Sequence, residues 1–143
     1  MGLFTRKPRA EELTGAVILA VIADEETALV DAGSAFLQYA DPTDTLVFLY
    51  QMTHQLAPVL RTAAEATRAE LATHDDGTET GTAIATLSQA LLVDVVDLDG
   101  LKSSVGTYLY KTVPLDTRRL ILLGLADATG RTLRRLGITP RFN

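Results

Sequence analysis

The chain has 143 residues, of which 47% are hydrophobic and 22% charged, with a formal net charge of −5 and no cysteine. This is the length of one domain that can close a core unaided, and it is too apolar for a disordered chain. The missing cysteine excludes a disulfide scaffold, a thiolate zinc site, an iron–sulfur cluster and a cysteine nucleophile.

Residues 1–10 carry Arg6, Lys7 and Arg9 and no acid, and read as a basic flexible tail ahead of a single helical domain over residues 11–143. Arg6 stands where a myristoylation motif needs Ser or Thr. The first apolar run, Ala16 to Ala23, stops at Asp24-Glu25-Glu26. It is far shorter than the roughly 20 residues of a membrane span, and no signal-peptide cleavage pattern follows it. No transmembrane segment and a cytoplasmic location are therefore expected.

Between residues 11 and 40, Leu13, Val17, Ile18, Val21, Ile22, Leu29, Val30, Phe36 and Leu37 recur at helical spacing. The acids at 24–26 leave two options, one long rod or two helices joined near Asp24, and Gly33 is a second weak point. Asp41-Pro42-Thr43-Asp44 is a helix start. Asp41 can cap the free amides, and Pro42 suits the first helical position, where no amide partner is needed. Leu46, Leu49, Leu56 and Leu60 form the apolar stripe that follows. Pro58 removes a backbone bond inside it, so a kink or break is expected there. Residues 59–73 are Ala-rich and carry Glu65, Arg68 and Glu70. Residues 74–82 form a polar loop with two glycines.

Ala83 to Leu98 reads as a helix with Ile84, Leu87, Leu91 and Val95 on one face, stopped near Gly100. Residues 101–113 suit either a short helix or an edge strand, broken at Val113-Pro114. The last helix spans Leu115 to Leu136, with Leu115, Leu122, Ala126, Leu133 and Leu136 in register. Gly137 and Pro140 end it, and Arg134 and Arg135 sit on its negative end. Ala16–Ala23, Thr45–Met52, Leu91–Val96 and Leu120–Leu125 are also of strand length, which keeps an α/β competitor open. The helix starts at Asp41-Pro42 and Val113-Pro114 favour an all-α fold: a compact bundle of four to six helices. The many threonines are expected at caps, bends and solvent faces.

Charge is segregated along the chain. Residues 11–100 hold 16 acids against Arg61 and Arg68, net −14; residues 101–143 hold eight cations against Asp116 and Asp127, net +6. In one reading the basic last helix packs beside acidic helices of the same molecule. In the other, opposite faces of different subunits meet. Arg118, Arg119, Arg131, Arg134 and Arg135 are the candidate partner-binding residues in the second case.

No catalytic or cofactor constellation emerges. His54 and His74 lack the paired Glu-x-x-His elements of a di-iron bundle. Asp94, Asp97 and Asp99 miss the alternation and the closing Glu of a calcium loop. There is no Gly-rich phosphate loop and no Gly-x-Ser-x-Gly element. Residues 125–136, Leu-Ala-Asp-Ala-Thr-Gly-Arg-Thr-Leu-Arg-Arg-Leu, resemble a helix-turn-helix, which implies Arg131, Arg134 and Arg135 on a recognition helix. A continuous helix through Gly130 costs only about 1 kcal/mol relative to Ala and keeps the leucines in register. The expected function is a non-catalytic helical adaptor or assembly subunit without cofactors. It would act by self-association as a homo-oligomer or by docking to a larger protein. The alternative is a nucleic-acid-binding protein using the basic C-terminal helix; an apolar ligand pocket between helices is a third possibility.

Overall fold

A computed structural model of the chain describes residues 8–93, Thr107, Leu109, Lys111 and residues 113–141. Among the described residues every regular element is helical and no strand occurs, so the fold is all-α. Six helices are α1 (Ala10–Ala23), α2 (Glu26–Tyr39), α3 (Pro42–Thr62), α4 (Ala64–Ala72), α5 (Glu79–Leu92) and α6 (Leu115–Leu136). Thr107, Leu109 and Lys111 are also helical. That further segment takes the count just above the four to six expected. The remaining residues of 101–112, like Asp94, Asp97 and Asp99, lie outside those described.

The rod-or-two-pieces question of residues 11–40 resolves at Asp24. Its φ of +53° is left-handed, and its amide donates to the Val21 carbonyl at 3.1 Å, closing α1 before α2 begins. Asp is one of the few side chains that enters this region at modest cost. Asp41 caps α3 as its sequence implies, accepting from the Asp44 amide at 3.1 Å, with Pro42 in the first turn. Pro58 sits inside α3, and the break comes five residues later, at Ala63, between α3 and α4. The helix expected from Ala83 starts earlier, at Glu79, because Thr78 caps it by accepting from the Gly81 amide at 3.0 Å. α6 has the span expected of it. Gly137, at φ +71°, closes it, its amide donating to the Arg134 carbonyl while that of Ile138 reaches Leu133.

α6 is the central strut. α1 packs along it most extensively, α2 covers α1, and α3, α4 and α5 complete the surround. Leu13, Ile18, Phe36, Leu49, Leu109, Ile121, Leu122, Leu125 and Leu133 are buried in the main core. A smaller cluster of Leu60, Leu71, Leu92, Val93 and Ala128 lies under α4. Leu56 is half-buried and touches both. Leu115, placed in the apolar register of α6, is instead exposed.

The threonines are the main departure from expectation. Thr14, Thr45, Thr53, Thr67, Thr129 and Thr132 are all buried. Three of them solve the desolvation problem locally. Thr53, Thr129 and Thr132 donate to the carbonyls four residues back, those of Leu49, Leu125 and Ala128, at 2.8–2.9 Å. A threonine that bonds its own helix in this way enters a core as a nearly apolar side chain.

The turn that the helix-turn-helix resemblance implies at Gly130 is not there: α6 runs straight through it. The glycine serves packing. A Cβ at position 130 would lie 2.8 Å from Val21 Cβ and 3.1 Å from the Ile18 carbonyl oxygen. Its absence lets α1 and α6 approach closely.

Candidate functional site

The five arginines singled out by charge fall into two groups on α6. Arg118 and Arg119 lie near its start, and Arg131, Arg134 and Arg135 near its end. From residue 119 to residue 131 the helix axis rises about 18 Å, at 1.5 Å per residue.

In the first group both side chains cap carbonyls. Arg118 Nε donates to Val113 O at 2.9 Å. Arg119 Nε donates to Ala40 O at 3.1 Å, at the C-terminal end of α2, where a cation also meets the negative helix dipole. The second group is paired with acids. Arg134 lies 3.3 Å from Asp24, in the turn between α1 and α2. Arg135 lies 3.1 Å from Glu70 on α4. Arg131 lies 3.2 Å from Asp127, one turn back on α6. Together with Val21 and Leu29, these six charged residues line a cleft of about 610 Å³. Its three cations are matched by three anions, so its wall carries no net charge.

His74, just past α4, lies beside Asp127 of this cleft. Its side chain is 11% exposed, and its Nε2 lies 3.9 Å from Asp127 Oδ2 with no hydrogen-bond partner. Burial lowers its pKa from the ordinary histidine value. The Asp127 and Glu70 carboxylates oppose that shift, and the Arg131 guanidinium adds to it. His54 is exposed on α3 and is not brought near it. Sequence spacing could not find the His74–Asp127 juxtaposition, because the two residues meet only when α4 docks on α6.

The loop between α4 and α5 is tied down by its own acids. Asp75 Oδ1 accepts from the Gly77 amide and from Thr82 Oγ1, while Asp76 Oδ1 accepts from both the hydroxyl and the amide of Thr78. Those bonds favour the Asp76 carboxylate and lower its pKa, the Thr78 hydroxyl most of all. Among the described residues, no three His, Asp or Glu side chains gather to hold a metal ion.

α2 is the helix least covered by the rest of the bundle. Only Ala32 and Phe36 of its 14 residues are buried. Val30 is 61% exposed and Leu37 is 38% exposed. They stand seven residues apart, with exposed Ser34 between them, so all three share one outward stripe. Glu26 and Asp31 are also exposed on this helix, and no cation stands on it. Sequence periodicity places Val30 and Leu37 on a helix, and only the packing of α2 on α1 and α6 decides which face stays open. Leu115 and Leu120 are also exposed on the first turns of α6, five residues apart and so on different faces of the helix. Among the described residues no helix is long and apolar enough to cross a membrane. No protein-family model, no curated protein and no solved structure matches the chain.

Proposed function

We propose that the protein is a non-catalytic helical adaptor or assembly subunit, working in the cytoplasm through self-association. The observation that carries this reading is the outward stripe of α2, where Val30 is the most exposed large aliphatic side chain among the described residues and Leu37 stands two turns along the same face. Large apolar side chains held in a row on a covered fold mark a contact surface more often than isolated ones do. Charge suggests the partner. The α2 stripe is flanked by acids alone, whereas residues 115–120 of α6 set one exposed acid, Asp116, against two arginines, Arg118 and Arg119, whose Nε groups bond within the chain. A second copy offers each surface its complement in polarity and sign. Such a contact is heterologous, so it closes into a ring or extends as a filament.

Light scattering at increasing protein concentration tests this. Oligomers are expected at low salt, with Val30→Asp and Leu37→Asp each returning the protein to a monomer while leaving its helical dichroism intact. Association should weaken as salt rises, because exposed charges are screened beyond about 8–10 Å. A monomer at every concentration and salt level overturns self-association. Binding to duplex DNA with a steep salt slope, near −0.9 per phosphate neutralised, would replace this reading with nucleic-acid recognition by α6.

A further inference from the structure

A buried histidine that shares its acid with an arginine is a device for moving charge with pH. Asp127 Oδ2 is the common acceptor. Arg131 Nε lies 3.2 Å from it, one turn along α6, and His74 Nε2 lies 3.9 Å from the same oxygen across the α4–α6 contact. The neutral imidazole leaves its Nε2 shielded from water and without a hydrogen-bond partner. Whichever nitrogen holds the proton in the neutral ring, the imidazolium carries an N–H on both. We propose that Asp127 is held by Arg131 while His74 is neutral and is drawn to His74 when the ring takes a proton from solvent, so that mild acid releases Arg131 into the cleft.

The surroundings leave Asp127 as the acceptor to be contested. From α4 the facing charge is Glu70, whose Oε2 is already engaged by Arg135 at 3.1 Å. From α6 the facing charges are Asp127 and Arg131. Asp75 and Asp76 follow His74 directly, but their carboxylates accept from Gly77, Thr78 and Thr82 within the loop. A charge-assisted bond to a shielded imidazolium is stronger than the half-exposed pair with Arg131, because less water competes for it. The side-chain movement needed is small: the 3.9 Å separation must close to a hydrogen-bond distance near 2.8 Å. Protonation thus draws the Asp127 carboxylate toward the end of α4 and adds a cation beside a cleft whose wall carries three cations and three anions. The proposal concerns the α4–α6 contact and stands independently of what docks on α2.

Nitrogen NMR of the folded full chain tests it, following the His74 ring and the Arg131 Nε together from about pH 7.5 to about pH 4.5. The Arg131 signal is expected to move with the same midpoint as His74. In His74→Gln it should stay in place over that range. Asp127→Asn should lower the His74 midpoint by about half a unit or more, and Arg131→Gln should raise it, since one removes an attraction and the other a repulsion. An Arg131 signal that is unmoved while His74 titrates overturns the proposal. So does a His74 midpoint that is the same in wild type and Asp127→Asn. The wild-type measurement alone decides the first point, so a variant that fails to fold does not shelter the idea.

Discussion

Two glycines inside helices show how one residue type answers to different physics. Gly33 in α2 has open space where a Cβ would go, whereas Gly130 in α6 has Val21 and the Ile18 carbonyl there. Gly33→Ala should therefore raise stability by about 0.5–1 kcal/mol, the ordinary gain of removing a glycine from a helix interior. Gly130→Ala should lower it by about 1–3 kcal/mol, because overpacking the α1–α6 crossing exceeds that gain. Urea denaturation of the two variants checks both signs; a stabilised Gly130→Ala would mean that α1 can step back without cost. From sequence, Gly130 is a tolerated helix residue or a turn, and only the neighbour on α1 settles why glycine stands there. His74 belongs to the same scale. Its folded pKa lies below its unfolded value, so the unfolded chain takes the proton first. That contribution to stability is complete above the unfolded value, near pH 6.5, and is lost as pH falls through the folded pKa. Thermal melts of wild type and His74→Gln at pH 7 and pH 5 should show the variant losing less stability on acidification.

At the scale of elements, helix ends were legible where a single residue does the work. Asp41-Pro42 opens α3 and Gly137 closes α6 because capping is local chemistry, readable from a few neighbours. Asp41→Ala should cost about 0.5–2 kcal/mol in a denaturant titration, since the Asp44 amide loses its acceptor. Sequence places the start of α5 four residues late, because Thr78 is one of several threonines able to cap in that loop and sequence does not rank them. The buried threonines were illegible for a related reason. Whether Thr53, Thr129 or Thr132 counts as polar depends on a bond to its own helix, whereas residue type alone points to caps, bends and solvent faces. Leucine stripes were more dependable. Leu49, Leu91, Leu122 and Leu133 are in one core, and Leu122→Ala should cost about 2–5 kcal/mol. A variant with unchanged stability would place the wrong face of α6 inward.

For the molecule as a whole, the charge segregation of the sequence becomes a spatial arrangement: a basic strut threaded through an acidic surround. The segregation was visible in the residue order, but its partners were not, because Arg134 and Asp24, or Arg135 and Glu70, meet only through the tertiary packing of α6 on α1 and α4. Those contacts set a direct test of how much of the positive charge is committed within one molecule. A double-mutant cycle with Arg134→Gln and Asp24→Asn is suited to it, since Asn also tolerates the left-handed conformation at position 24. Both side chains are at least half exposed, so the coupling should be no more than about 1 kcal/mol at low salt. It should shrink toward zero at about 1 M salt, where the screening length is near 3 Å. The same cycle for Arg135 and Glu70 should give a somewhat larger value, because Glu70 is the less exposed acid. Measured in dilute monomer by denaturation, a clear coupling would mean these arginines serve their own fold, as Arg118 and Arg119 do at the Val113 and Ala40 carbonyls, leaving the exposed leucines of α6 to meet another copy. No coupling at low salt would mean the pairs do not hold in solution, and the basic end of α6 would then be a second surface open to an acidic partner.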